Sequence, residues 1–244
     1  MSAQPSLNLE QSNAIRCFDV NIDPNTVMPQ WFNKWREQFL NGESKISHRH
    51  EEALARLIPI LLCGEQSAIH VFGNEVERLR GSKWCTSINL LKNIETDEYA
   101  HEQALQTVSS FLMEPADLHR IKRKAQHFYL SLGSTAGMAD HFARISQLDA
   151  CVCIIMNAIT HCDLGKNHLI VKLFERIKKD EARHVSVCRK HFLKLGGDRS
   201  SFKENRHVVG TKLVSLLATQ ADSFETLGID PDIMFRKMTH VKES

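Results

Sequence analysis

The longest regular feature of this chain is a pattern of apolar residues spaced three and four apart, from about Ser47 to Leu195. That spacing places apolar side chains along one face of a helix, and alternating strand patterns are missing. Only 11 Gly and 6 Pro occur in 244 residues, too few for a turn-rich β-sandwich or barrel. The sequence therefore predicts an all-α fold, with a four-helix bundle at its centre and additional N- and C-terminal helices.

Glycine, proline and capping residues divide this pattern into separate helices. An irregular lead-in over residues 1–46 holds one short helix, residues 47–195 form the bundle, and residues 196–244 add helices packed on it, in a single domain. The expected long helices run from Ser47 to Leu79 with a kink at Pro59, from the turn at Gly81-Ser82 to about Met113, from Ser134 to about Cys162, and from the turn at Gly165 to Leu195. The expected shorter helices run from about Trp31 to Leu40, from Pro115 to Leu132 and from Ser201 to Leu227, with a last piece after Pro231.

Charge and cysteine content limit the compartment and the partners. With 31 Lys and Arg against 29 Asp and Glu, charges of both signs are mixed, and neither a nucleic-acid nor a membrane partner is expected. The seven cysteines are odd in number and lack Cys-x-x-Cys spacing, which favours reduced cytosolic thiols. No signal peptide is visible, and the longest apolar run, Leu57 to Cys63, is too short to span a bilayer. We expect a soluble cytoplasmic protein.

Two copies of the pattern D-E-x-x-H mark the predicted bundle. They are Asp97-Glu98-Tyr99-Ala100-His101 and Asp180-Glu181-Ala182-Arg183-His184, each midway along a long helix. Glu and His three residues apart share a helical face, so both can reach one metal ion. Chance gives about 0.04 such matches in a chain of this composition. A third Glu-x-x-His pair, Glu204 and His207, lacks the preceding Asp and is interpreted as a helix-surface pair.

The other two bundle helices should supply carboxylates at the same height. In an antiparallel helix pair, residues equidistant from the connecting turn lie level with each other. Glu75 and Asp140 fail this test, because their midpoints with the motif glutamates fall inside helices. The acids that pass are Glu65, level with Glu98 about the turn at Gly81, and Asp149, level with Glu181 about Gly165. Both have apolar neighbours, and a buried carboxylate needs a partner such as a cation.

These residues form an oxygen-rich ligand set of four carboxylates and two imidazoles. Such a set suits two iron ions, with a Mn/Fe pair as an alternative, better than metals that prefer thiolates. The predicted ligands are Glu65, Glu98, His101, Asp149, Glu181 and His184. We expect Asp97 and Asp180 each to accept a hydrogen bond from the histidine of the other motif. Cys153 and Cys188 fall on the ligand faces, where they line a substrate cavity or fill the core as small apolar groups.

The paired motifs, together with Glu65 and Asp149, resemble the ferritin-like di-iron carboxylate superfamily over roughly residues 47–195. The segment from Asp180 to His184 is similar to the D-E-x-R-H form of its desaturases and reductases. The resemblance implies an oxygenase or oxidase that uses O2 at two iron ions to hydroxylate, N-oxygenate or desaturate its substrate. It also implies an electron donor, a small organic substrate or a carrier-bound acyl or aminoacyl group, and a homodimer through the outer helices. Asp149 departs from the superfamily, which usually has Glu there.

Two other functions fit the same sequence. One is an iron-handling or peroxide-scavenging protein of the ferritin or rubrerythrin kind, with no organic substrate. The other is a non-enzymatic helical protein that binds a partner. Within the superfamily, the missing Cys-x-x-Cys pair argues against a rubredoxin module. Leu105 and Val108 stand where a radical tyrosine would lie, and Ile177 replaces the extra histidine of the p-aminobenzoate N-oxygenases.

Overall fold

A computed structural model describes residues 15–20, 22, 25–42, 45–81, 88–133 and 137–239. Within these ranges the chain is helical and contains no β-strand, which confirms the all-α class. The helices are α1 (Gln30–Asn41), α2 (His48–Leu79), α3 (Ile88–Ser109), α4 (Leu118–Leu132), α5 (Met138–Ile159), α6 (Leu169–Lys194), α7 (Arg199–Leu217), α8 (Ala221–Thr226) and α9 (Pro231–Thr239). A 3-10 turn, Ala218–Gln220, joins α7 to α8.

Local sequence signals explain several helix ends. The Ser47 hydroxyl accepts a hydrogen bond from the backbone N–H of His50 and begins α2. Gly81, Gly165 and Gly196 have φ values of 73°, 82° and 84°. This left-handed conformation is costly for residues with a Cβ atom. Glycine therefore occupies these positions, which follow α2 and α6 and lie in the turn between α5 and α6.

Four helix boundaries differ from the prediction. Helix α3 ends at Ser109 rather than near Met113, and α4 begins at Leu118 rather than Pro115. Helix α5 ends at Ile159, and its predicted cap Ser134 lies outside the described residues. The predicted helix from Ser201 to Leu227 is interrupted because Gln220 leaves helical geometry, with φ −128° and ψ 23°, and accepts a hydrogen bond from Arg56.

Helices α2, α3, α5 and α6 position the candidate site. Helix α2 packs most extensively against α3, and α5 against α6, while α3 also contacts α6. One large apolar cluster includes Leu62, Ala100 and Ile177, and a smaller one includes Phe72 and Cys188. The stretches of α2, α3, α5 and α6 between the two clusters carry buried acids and histidines. A polar layer therefore lies between two apolar layers.

A disulfide and hydrogen bonds hold the segment before α1 against α2 and α3. Cys17 and Cys63 form a disulfide, and the backbone N–H of Cys17 donates to Oε1 of Gln66 at 2.7 Å. The prediction that the cysteines are reduced is therefore wrong for this pair, because nothing in the irregular lead-in shows that it returns to α2. Cys151, Cys153, Cys162 and Cys188 are free, and Cys85 lies outside the described residues. Because disulfides are rare in the cytosol, this disulfide removes one of the arguments for a cytoplasmic protein.

Helix α5 is long and apolar enough to cross a membrane by length and composition. An uninterrupted apolar run does not identify this helix, because α5 reaches its hydropathy with polar residues scattered through it. Half of the most apolar 18-residue stretch of α5 is buried inside the fold, where α5 packs against α6 and α7. A core helix passes the same test, so this finding is weak evidence for a membrane span.

Candidate metal centre

The two D-E-x-x-H motifs face each other across α3 and α6. Nδ1 of His184 lies 3.0 Å from Oε1 of Glu98 and 3.7 Å from Oε2 of Glu181. Nδ1 of His101 lies 3.8 Å from Oε2 of Glu98 and 3.7 Å from Oε1 of Glu181. Each glutamate thus presents one oxygen to each histidine. This is the arrangement needed for carboxylates that bridge two ions.

Glu65 of α2 completes a compact ligand group. Its Oε2 lies 3.3 Å from Nδ1 of His101. One donor atom each from Glu65, Glu98, His101 and Glu181 lies within 4.8 Å of the other three, and all four residues are buried. Donors at about 2.0–2.2 Å from a common ion can be up to about 4.4 Å apart. These four donor atoms are therefore almost close enough together to bind a single ion.

Asp149 of α5 lies beside this group without belonging to it. It is 6% exposed and lines a small cavity with Glu65, Glu98 and Glu181. Burial, and then the carboxylates of Glu181 and Glu98, raise the pKa of Asp149 well above its usual range. The structure therefore brings Asp149 to the predicted layer, beside Glu65, Glu98 and Glu181.

Four buried polar atoms of the layer have no well-placed hydrogen-bond partner in the part of the chain that the structure describes. Glu65 Oε2, His101 Nδ1, Asp149 Oδ2 and His184 Nδ1 are buried and form no hydrogen bond of good geometry within the described residues, although each histidine nitrogen lies close to a carboxylate oxygen. They come from four different helices. Each such atom costs about 1–3 kcal/mol, and buried polar groups in proteins are normally paired. A cation coordinated by these atoms would remove that cost.

The outer nitrogen of each histidine is held by an aspartate of the other motif. Asp180 Oδ2 lies 3.3 Å from His101 Nε2, and Asp97 Oδ2 lies 3.4 Å from His184 Nε2. These are the contacts that the sequence predicts. A proton held at Nε2 leaves the Nδ1 lone pair directed at the carboxylates, as a metal ligand requires.

Two arginines, whose role the sequence analysis did not foresee, hold these aspartates in place. Arg176 donates to both oxygens of Asp180, at 2.8 and 2.6 Å. Arg183 donates to Asp97 and, at 3.2 Å, to Asp180. The spacing of Arg176 and Asp180, four residues apart on one helix, is a signal that could have identified the first of these pairs.

Burial and mutual repulsion shape the charges of the cluster. Burial raises the pKa of Glu65 and Glu181. For Glu98, burial also raises the pKa, but the charge of His184 together with the close contacts to both histidines outweighs burial, and the net shift is downward. Burial lowers the pKa of His101 and His184, but the charges of Glu65 and Glu98 respectively, together with the close contacts to neighbouring carboxylates, outweigh burial and raise both pKa values. The carboxylate layer thus favours positive charge at its centre.

Tyr129 of α4 reaches this layer from outside the four helices. A Cβ atom at Gly64 would lie 2.6 Å from Tyr129 Oη, so the ring packs directly on the α2 backbone beside Glu65. Burial, and then the charges of Glu65, Glu181 and Glu98, raise its pKa. Tyr129 was not predicted from the sequence, because only tyrosines near His101 were considered. A glycine in a helix next to a buried acid permits such a close approach.

Two small cavities lead from the cluster past Tyr129. The inner one, of about 30 Å³, touches Glu65, Glu98, Glu181 and Asp149. The outer one, of about 70 Å³, extends to His141 and Arg144. They share Gly64, Ala68, Tyr129, Leu148 and Asp149. A largely apolar path therefore runs between α2, α4 and α5 to the layer.

Other candidate residues lie away from the cluster. Cys153 lines a surface groove against α9, Cys188 is buried in the smaller apolar cluster, and neither lines the two cavities. Burial raises the pKa of Cys153 to about 12. Glu75 binds Arg78 and His141 instead, and Glu204 and His207 are exposed on α7.

No protein-family model, curated protein or solved structure matches the chain. What it does is therefore inferred from the chemistry of its own residues. The polar layer offers hard oxygen and imidazole donors within 4.8 Å of one another, between two apolar clusters.

Proposed function

We propose that this chain is a di-iron oxidoreductase with a ferritin-like four-helix bundle, an oxygenase or oxidase that uses O2 to oxidise a small organic substrate. The observation that carries the proposal is the convergence of four unsatisfied buried atoms from α2, α3, α5 and α6. Two of these atoms, His101 Nδ1 and Glu65 Oε2, lie 3.3 Å apart without forming a hydrogen bond of good geometry. Two cations shared among them account for all four at once.

The side chains divide naturally between two ions. Glu65 and His101 would hold one ion, and Asp149 and His184 the other. Glu98 and Glu181 would contribute to holding both ions, since each directs one oxygen toward each histidine. Four carboxylates nearly balance two divalent ions, and the oxygen and nitrogen donors suit iron, or a Mn/Fe pair, better than a thiolate-preferring metal.

The iron pair, when bound, supplies open coordination positions and the electrons that O2 reduction requires. The chain supplies the rest. Asp97 and Asp180 hold the protons at the outer nitrogens of the two histidines and fix the orientation of the rings. The apolar layers keep bulk water out. Tyr129 places a protonated hydroxyl next to the carboxylates, within the path that leads to them.

The cavity dimensions favour a slender substrate. Volumes of about 30 and 70 Å³ are well below the roughly 300–1,000 Å³ of pockets that enclose a drug-sized ligand. A small molecule, or the end of a carrier-bound acyl or aminoacyl chain, fits this path. The oxidation also requires an electron donor from outside the chain.

Metal content and oxygen uptake test this function. Protein produced with iron should contain about two metal ions per chain and, with a chemical reductant, should consume O2. Glu98→Ala and Glu181→Ala should each abolish loading, while Glu204→Ala, on the exposed face of α7, should retain it.

Saturation at one ion, or at none in folded protein, would contradict the dinuclear site. Steady peroxide consumption or ferroxidase turnover, with no organic product from any small substrate, would instead favour the iron-handling alternative.

A further inference from the structure

Helix α4 concentrates positive charge on one side of the molecule. Its 15 residues include four Lys or Arg and neither Asp nor Glu, although the whole chain carries a formal net charge of only +2. Helix α7, which packs beside it, carries four Lys or Arg and a single Glu. The even mixing of charge along the sequence therefore does not hold for the folded surface.

A groove of about 660 Å³ runs between these two helices. Its base is apolar, formed by the buried rings and methyl groups of Phe128 and Leu216. Its other lining residues are Arg123, Lys124, His127, Ser131, Thr211, Lys212, Ser215 and Thr219, with no acidic residue among them. A groove of this volume lies in the range of small-ligand sites.

The cations of the groove lack counter-charges. Within the described part of the chain, Arg123 and Lys124 form no ion pair, and Lys212 donates only to the Ser131 hydroxyl at 3.3 Å. Other arginines are neutralised, as Arg56 and Arg120 are by Asp117. Three unneutralised like charges beside one groove raise its positive potential and attract an anion.

We infer that this groove binds an organic phosphate that also carries an apolar segment. The phosphate would lie among Arg123, Lys124 and Lys212, since a guanidinium matches two phosphate oxygens and ammonium groups add point charges. The apolar segment would cover Phe128 and Leu216. The concave shape and apolar base fit such a molecule better than the acidic surface of a protein. The groove shares no lining residue with the two cavities beside Glu65 and Glu98, so this site is separate from the proposed metal centre.

Binding of octyl phosphate, measured by isothermal titration calorimetry below its micelle concentration, tests the inference. We expect one saturable site per chain. Inorganic phosphate and octanoate should bind at least about tenfold more weakly, because each lacks one half of the recognised chemistry. Octyltrimethylammonium should not bind.

Matched variants localise the site. Arg123→Gln and Lys212→Gln should each weaken octyl phosphate binding about tenfold or more through loss of a charge-assisted hydrogen bond. Lys172→Gln, an exposed position on α6, should leave it unchanged. All three residues are exposed, and an unchanged melting temperature shows that the variants fold.

Three results would overturn the inference. The first is equal affinity of wild-type protein and the Arg123→Gln/Lys212→Gln variant for octyl phosphate. The second is binding to vesicles of phosphatidylcholine and phosphatidic acid without binding of octyl phosphate, which would make the face a membrane-contact surface. The third is binding of poly-L-glutamate alone, which would make it a docking surface for an acidic protein.

Discussion

Replacing Asp149 with Asn should stabilise the metal-free protein and destabilise the metal-loaded one. Asp149 is 6% exposed, one of its carboxylate oxygens forms no hydrogen bond within the described residues, and Glu98 and Glu181 repel its charge. Asn keeps a polar amide at this position but carries no charge, so the substitution removes the cost of burying a carboxylate beside two others, about 1–3 kcal/mol. For a chain of this size, about 2–4 °C of melting temperature corresponds to 1 kcal/mol. The metal-free variant should therefore melt about 2–12 °C higher than the wild type.

Bound metal should reverse the sign of this change in melting temperature. An ion present at 100 times its dissociation constant stabilises the folded state by about 2.7 kcal/mol, and Asp149→Asn should lose much of that contribution for one ion. Thermal unfolding with a chelator, and again with saturating Fe(II) under anaerobic conditions, measures both effects. Glu204→Gln, on the exposed face of α7, is the control and should change neither melting temperature.

One result would refute the reasoning behind this prediction. If Asp149→Asn lowered the melting temperature equally with chelator and with metal, the Asp149 carboxylate would be a structural hydrogen-bond acceptor. The dinuclear site would then have three carboxylates.

Three further perturbations test the surroundings of the centre. Asp180→Asn should weaken metal affinity about 10–100-fold in competition with a chelator, because the histidine it contacts loses its orientation; unchanged affinity would contradict that role. Gly64→Ala should lower the melting temperature, since the added Cβ would lie 2.6 Å from Tyr129 Oη, and adding Tyr129→Phe should recover part of the loss; a strictly additive double variant would rule out the contact. Asp117→Asn should destabilise the protein at pH 7. Hydrogen bonds from its two arginine partners lower the Asp117 pKa to about 2, so the difference from wild type in urea unfolding should be fully present above about pH 4 and shrink as the pH falls toward 2; a difference independent of pH would exclude the ion pair as its cause.

The helix register of the polar layer was predictable because turn glycines fix it. Gly81 and Gly165 adopt positive φ, and counting equal distances from them along neighbouring helices leads to Glu65 and Asp149. The structure places Glu65 3.3 Å from His101 and Asp149 in the cavity beside it. Helical periodicity and turn chemistry are local properties, so the sequence carries them directly.

What the sequence did not reveal depends on elements that meet α2, α3, α5 and α6 from outside. Cys17 lies in an irregular segment whose path over α2 follows no period, and Tyr129 lies on a short helix that no spacing links to Glu65. The positive groove was hidden for the same reason, since Lys212 and Arg123 are far apart in the chain. Only tertiary packing brings these residues together.

Anomalous X-ray diffraction at the iron absorption edge, from crystals of protein loaded with iron, tests the central claim most directly. Two peaks about 3.5–4 Å apart are expected between Glu98 and Glu181, with donor atoms of Glu65, His101, Asp149 and His184 at about 2.0–2.2 Å from one or the other. A single peak, or iron bound elsewhere while this layer holds none, would contradict the dinuclear centre.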